Sequence, residues 1–165
     1  MEIWDLYNAD RVIIGEHVRG EKLPPNGYHL AVHVWIRNSE GKFLISQRSE
    51  NRPTFPLMWE CVGGSVLKGE NSLQGALREA KEEVGITLDE NSGKIVFSRR
   101  RDTIDKKTFN DFVDVWLFEY DGEITLEKAT TDEVKQSLWL TKDEIMNLYL
   151  ENKLVHTLNY FFQIF

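Results

Sequence analysis

The 165-residue chain predicts an α/β domain in which a mixed sheet is flanked by helices. Two observations carry that expectation. Tyr28 to Arg37 (YHLAVHVWIR) and Lys42 to Arg48 (KFLISQR) are strand-length runs separated by the turn residues Asn38 to Gly41, a hairpin pattern that makes them antiparallel neighbours. Further on, one long helical segment, Asn71 to Val84, stands between a short strand starting at Trp59 and two more strand candidates, Ile95 to Arg101 and Phe112 to Tyr120. Hairpins combined with one long crossover helix point to a mixed sheet.

Each element has a local signal. Val12 to Ile14 form a short apolar strand candidate, and Pro24-Pro25 followed by Asn26-Gly27 mark the loop before the hairpin. Ser49 to Leu57, with two prolines, reads as a loop leading to the apolar run Trp59 to Val62. Gly63-Gly64 then turns the chain toward the helix, in which Leu73, Ala76, Leu77, Ala80 and Val84 recur at helical spacing as one buriable stripe. Gly85 is a natural helix stop. Asp102 to Asp111 is polar and reads as a link between two strands. Near the end, Thr141 with Glu144 three residues on has capping-box spacing and opens a helix from Lys142 to about Leu150. A last helix is expected from Lys153 to Phe165. There is no internal repeat or low-complexity tract, and the length suits a single domain over residues 1–165.

Composition narrows the function classes. A formal charge of −7 argues against a broad grip on a nucleic-acid backbone, while a small polyphosphate can still be held by a local Arg or Lys cluster and by metal. The single cysteine, Cys61, excludes an internal disulfide. MEIWDLYNAD lacks a basic region followed by an apolar signal core, and no apolar run approaches the length of a membrane span, so a cytoplasmic protein is expected.

The chemistry concentrates in GSVLKGENSLQGALREAKEEVGI, residues 64–86. Glu79, Glu82 and Glu83 are related by i, i+3 and i, i+4, which places three carboxylates in one patch on the side away from the apolar stripe. Their repulsion weakens an isolated helix by a few tenths of a kcal/mol per pair, roughly, and a hard divalent cation with oxygen preference would remove that cost. Magnesium or manganese is the implied ligand. The bland alternative, a solvated acidic face, is outweighed by the succession of strand, glycine loop, acidic helix and glycine stop, which presents a metal site on a rigid element.

The spacing of Gly64, Glu70, Arg78, Glu79, Glu82, Glu83, Gly85 and Ile86 resembles the signature of the Nudix family, with Ala80 the one weak match. Seven identities at about one in fourteen each would coincide by chance at roughly one in a hundred million per starting position. The resemblance extends to WDLY, YHLAVHVWI, the pair Gln47-Arg48, FPLMWE and WLTKDEI, which look like the branch close to isopentenyl-diphosphate isomerase.

That resemblance implies an α/β/α sandwich and hydrolysis of a diphosphate linkage, typically in a nucleoside diphosphate joined to another group. Glu79 and Glu83 are then the principal metal ligands, the carbonyl of Gly64 a further ligand, and Glu82 either a ligand or the base acting on water. Arg78 is expected to brace a carboxylate rather than to touch phosphate, and Glu70 to sit at the helix entrance, bonding free amides. Arg48 and Arg37 are candidates for phosphate contact against the alternative of solvated surface arginines. Tyr28, Trp35 and Phe55 are expected in the core.

In the isomerase branch a histidine matching His29 binds metal. Counting back from Gly69-Glu70, however, that branch's cysteine falls on Gly63 and its adjacent histidine on Ser65, so the proton-transferring groups are missing and His29 and Cys61 are read as buried strand residues. The implied partners are a small-molecule diphosphate and Mg²⁺ or Mn²⁺; nucleic acid and membrane are not expected, and a homodimer is compatible with the sequence. An isomerase-like enzyme and a non-catalytic ligand-binding regulator are the rival readings.

Overall fold

A computed structural model describes residues 1–104 and 106–165. Strands β1 (Ile3–Tyr7) and β2 (Ile13–Val18) form a separate antiparallel ribbon, tied to the main body where Tyr7 bridges Tyr28. The main sheet contains β3 (His29–Arg37), β4 (Phe43–Arg48), β5 (Trp59–Glu60), β6 (Val62–Ser65), β7 (Gly93–Ile104), β8 (Lys107–Glu119) and β9 (Val134–Leu140). It is mixed, as expected: β3 runs parallel to β8 from His29↔Asp111 to Arg37↔Glu119, whereas β7 and β8 are antiparallel.

The hairpin of β3 and β4 is paired only at its turn, Arg37↔Phe43. Beyond that point the two strands part and a third segment fills the gap, with β5 pairing to β4 and β6 to β3. This split sets the Gly63–Ser65 stretch beside the helix that carries the acids.

Helix α1 (Ser72–Val84) begins one residue later than the periodicity suggests, because Asn71 is its cap. The Asn71 side chain accepts from Gln74 N and the Gln74 side chain accepts from Asn71 N, both at 2.9 Å. Gly85 ends the helix in the left-handed conformation, φ 69°. The Thr141–Glu144 capping box opens α2 (Lys142–Leu150) as expected.

Two faces of β3 feed two cores. Val32, Val34 and Ile36 pack with Ala76, Ala80 and Val84 of α1, while Ala31 and Trp35 pack with Phe43, Leu158 and Phe161 on the other side. Helical elements therefore cover both faces of the sheet, and Tyr28 and Trp35 are buried with Phe55 packed at the margin of the second core.

Four expectations need correction. The polar stretch from Asp102 to Asp111 is no loop, since β7 and β8 continue through most of it; Asp105 lies outside the described residues. Its polar residues are satisfied across the ribbon, where Arg101 donates to Asp111 at 2.8 and 2.6 Å and its guanidinium lies 4.2 Å from the centre of the Phe109 ring. The helix expected from Lys153 to Phe165 is broken. Lys153 and Val155 exchange backbone bonds with Trp59 in an extended segment, a 3-10 turn follows at His156–Leu158, and α3 covers only Phe161–Ile164. Extending this segment lets Leu154, Val155 and Leu158 join the second core. Strands β1 and β9 lie where no strand was expected, and β2 runs past Ile14 to Val18.

A half-buried histidine on β3, closed in by its neighbours at the edge of a cavity, gives the fold an acid-sensitive point. His33 Nδ1 lies 2.7 Å from the Tyr160 hydroxyl, which also accepts Trp35 Nε1–H at 3.0 Å. Trp35 can only donate, so the hydroxyl oxygen accepts from it and keeps one further position for the His33 ring. Burial first, then the charges of Arg101 and Arg99, lower the His33 pKa from 6.5 to about 3. Below pH 6.5 the unfolded chain takes up a proton that the folded chain refuses until about pH 3, so stability falls as pH falls through that window. In urea unfolding, His33→Gln should lose less stability than the wild type between pH 7 and pH 5, by about 2 kcal/mol. Parallel pH profiles for the two proteins would count against this assignment.

Candidate metal and phosphate site

Glu79 and Glu83 are one helical turn apart on α1 and both face β6 rather than solvent, with 9% and 5% of their surface exposed. This corrects the expected patch on the outer face: the two acids flank Ala80 and lie beside the apolar stripe. Glu82 alone keeps a half-open position, its side chain 38% exposed. Gly64 makes the close approach feasible, since a Cβ there would stand 2.5 Å from the Glu79 carboxyl carbon. Among the described residues Glu83 receives only the long amide hydrogen bond from Gly63 N, at 3.4 Å.

Arg78 organises the cluster. Its Nε and Nη2 donate to the two oxygens of Glu70 at 2.8 and 3.1 Å, Nη2 also donates to Ser65 O at 2.8 Å, and Nη1 donates to Glu79 at 2.8 Å and Glu82 at 3.0 Å. Burial opposes its charge, but these hydrogen bonds and neighbouring carboxylates keep it protonated. The bracing role expected for Arg78 is therefore the one its contacts perform. Glu70 accepts from Leu67 N at 3.0 Å and from Arg78, so it clips the loop before the helix and does not bond the free helix amides, a task that Asn71 performs.

The acids are held in a state that disfavours their charge. Burial pushes the Glu79 pKa up to about 7 despite the adjacent Arg78. Burial, then the charges of Glu60, Glu79 and Glu133, raise that of Glu83 well above the usual carboxylate range. Together with Glu82, Glu133, Arg52 and the Gly64 backbone, they line a cleft of about 130 Å³. Among the described residues no three His, Cys, Asp or Glu side chains already converge as a closed chelate. The donor set nevertheless fits a hard divalent ion: oxygen ligands only, buried charge without enough cationic partners, and room at the centre.

Glu133 and Arg52 line this cleft without having been candidates read from the sequence, as do Thr131 and the pair Arg19–Glu2. They arrive through tertiary contacts. Thr130 N and Thr131 N donate to Glu82 O at 2.9 and 3.2 Å, and Ser49 N donates to Glu133 O at 2.8 Å, which stitches the segments carrying Glu133 and Arg52 to the end of α1 and to each other. No spacing rule along the chain could have announced them.

Other candidates stand elsewhere. Arg48 is not a solvated surface residue; it is 9% exposed, donating to Glu60 at 2.5 Å and to Thr54 O at 2.9 Å. Arg37 pairs with Glu119 at the opposite end of β3 from the residue that faces Gly64. His29 is stacked on Trp4, ring centroids 4.2 Å apart, and Cys61 is 3% exposed; both border an adjoining cavity of about 210 Å³ that shares Gly63, Gly64 and Ser65 with the acidic cleft. Burial, then the charges of Glu60 and Glu83, hold the Cys61 thiol well above its usual pKa, which suits packing and not proton donation. His29 Nδ1 is buried without a hydrogen bond.

The family model for the NUDIX domain matches residues 27–161. The chain belongs to the Nudix family. Similar proteins include an uncharacterised Nudix hydrolase of Listeria innocua, 38% identical over 147 residues that make up 88% of this chain and 83% of the relative. A second, from Listeria monocytogenes, is 38% identical over 150 residues, again 88% and 83% of the two chains. Among solved structures, DR0079 of Deinococcus radiodurans superposes with a TM-score of 0.72 at 23% identity, covering 93% of this chain and 91% of the other. The NUDIX domain of Shewanella oneidensis NrtR, crystallised with ADP ribose, gives 0.59 at 16% identity over 73% and 77%. At these identities the structural matches support the Nudix fold, the α/β/α sandwich built on a mixed sheet.

Proposed function

We propose that this Nudix protein is a Mg²⁺- or Mn²⁺-dependent hydrolase that cleaves a diphosphate linkage in a small nucleoside diphosphate–X substrate. The observation that carries the reading is the burial of Glu79 and Glu83 against Gly64 in a cleft with too little cationic charge to balance them. Glu79, Glu82, Glu83 and the Gly64 carbonyl would hold the cation, which when bound neutralises phosphate oxygens and lowers the pKa of a water. Arg78 fixes the Glu79 carboxylate through Oε1, and through Glu70 and Ser65 it locks the loop that brings Gly64 to the helix. Glu82, the most open of the three helical acids, is placed to ligate the cation or to take the proton of the attacking water. Burial around Glu79 and Glu83 keeps bulk water from screening the charges that act on phosphorus.

The isomerase reading is disfavoured by glycine and serine at 63 and 65 and by the buried, high-pKa thiol of Cys61. The binding-only reading leaves the buried acids without a purpose, since they destabilise the metal-free fold. We further take residues 1–165 as one domain acting in the cytoplasm; among the described residues no helix is long and apolar enough to cross a membrane.

The test is a metal titration joined to a substrate screen. Magnesium or manganese should raise the melting temperature by binding linkage and should be required for release of phosphate species from nucleoside triphosphates, nucleotide sugars, dinucleoside polyphosphates or coenzymes. Full activity in excess chelator would refute the assignment.

A further inference from the structure

The cavity of about 210 Å³ that opens off the acidic cleft shares Gly63, Gly64 and Ser65 with it, so a group attached to a phosphate in the cleft has this space beside it. One wall is the face of β3 that carries His33, Ala31 and His29, two residues apart along the strand. His33 stands in register with Gly63 and Ala31 with Ser65, and His29 lies one step beyond this paired stretch. Behind His29 is an outer cavity of about 430 Å³, between the segment that follows β2 and strand β8, which His29 and Trp4 both line. The stacked rings of His29 and Trp4 are therefore the partition between the two spaces.

The other sides of the inner cavity are pinned. Arg101 is clamped by its two hydrogen bonds to Asp111 and by the Phe109 ring, 4.2 Å from the guanidinium, while His33 Nδ1 lies 2.7 Å from the Tyr160 hydroxyl. The partition differs. Trp4 Nε1 and His29 Nδ1 are buried without hydrogen-bond partners, and His29 Nε2 stands 3.8 Å from Asp111, too far for a hydrogen bond. Ring stacking sets its position, so its contribution to the cavity is one of shape.

Size and lining select what can enter. A volume of about 210 Å³ lies below the roughly 300–1,000 Å³ of pockets for drug-sized ligands, which leaves room for one sugar ring and not for a whole nucleoside. No Phe, Tyr or Trp is among the lining residues, so a base would find no aromatic face there. The charged groups are already paired, Arg101 with Asp111 and Glu60 with Arg48, and a further charge would be buried without compensation. Ser65 and Thr157, which also line the space, suit neutral hydroxyl partners.

We propose that the group X of the substrate is small, uncharged and hydroxyl-bearing, of the size of one sugar ring, and that the His29–Trp4 stack limits its size by closing the inner cavity against the outer one. The inference rests on the hydrolase reading above and narrows it to one end of the substrate, with the nucleoside outside this cavity. His29 is then a specificity-determining residue that acts by filling space.

ADP-glucose and diadenosine diphosphate test it, since they share an adenylyl half and differ in X. With magnesium, the wild-type kcat/KM should favour ADP-glucose by roughly 10-fold or more, the range that fit alone gives in a pocket. His29→Ala should bring the two values together through a gain for diadenosine diphosphate, because the inner and outer cavities then join. His29→Leu should keep the wild-type ratio, since it restores the bulk without the imidazole. His29→Ser repeats the alanine experiment with a polar side chain, and melting curves confirm that each variant is folded. Equal wild-type values, a preference for diadenosine diphosphate, turnover of neither compound, or an unmoved ratio in the folded alanine and serine variants would overturn the proposal. The hydrolase reading would still stand wherever magnesium stabilises the protein and supports hydrolysis of another diphosphate. Loss of both magnesium effects would defeat the two together.

Discussion

Glu83→Gln is expected to lower kcat by about 10²-fold or more, some 3 kcal/mol of transition-state stabilisation, in a protein that remains folded. The change keeps volume and a hydrogen-bond acceptor for Gly63 N, and it removes the negative charge. In the metal-free protein that charge is a burden: Glu83 is 5% exposed and accepts a long hydrogen bond, 3.4 Å, from Gly63 N. Buried carboxylates held in this way favour their neutral form, and here burial is reinforced by the charges of Glu60, Glu79 and Glu133. Glutamine should therefore leave the metal-free fold as stable as before or more so, while the stabilisation brought by magnesium shrinks. Opposite movements of stability and activity separate a metal ligand from a structural acid. Steady-state kinetics and melting curves with and without magnesium read both. An unchanged rate in the folded variant would place Glu83 outside the chemistry.

The parts of this site that could be read from the sequence are those whose geometry is local. Helix α1 has its stripe, its Asn71 cap region, its Gly85 stop and its three acids within one segment, so period and spacing were enough to bring Glu79, Glu82 and Glu83 together, while Gly64 joined them only through the family resemblance. Spacing did not reveal which face is buried. It placed the acids opposite the stripe, whereas packing against β6 draws Glu79 and Glu83 inward, because glycine at 64 leaves the space that a side chain would fill. Strand β9 was missed because much of its surface is exposed and VKQSLWL has no alternating apolar pattern. The ribbon of β7 and β8 was cut short because its polar residues look like a loop until their partners across the strands, such as Arg101 with Asp111, are known. Glu133 and Arg52 depend wholly on such distant partners.

The two glycines of β6 give the sharpest separation of function from fold. In Gly64→Ala the new methyl would stand 2.5 Å from the carboxyl carbon of Glu79, well inside contact distance. Side-chain carboxylates can move, so the strand should stay in register and Glu79 should be displaced from Arg78 and from the cleft. A displacement of about 1 Å in a catalytic group costs on the order of 10²-fold in rate, and that loss is expected here with only slight change in melting temperature. In Gly63→Ala the methyl would instead meet Val32 O at 2.5 Å, and Val32 is fully buried in the central strand. Backbone in a packed core has little room to yield, so overpacking should destabilise by about 1–3 kcal/mol. Adjacent substitutions of the same size thus load different parts of the structure: alanine at 64 strikes a side-chain carboxylate, alanine at 63 strikes the sheet backbone. Measuring rate and unfolding free energy for both variants decides the matter. If Gly64→Ala retained full activity, the close approach of Glu79 to β6 would have no part in catalysis, and the metal site would have to be assembled from Glu82, Glu83 and Glu133 instead.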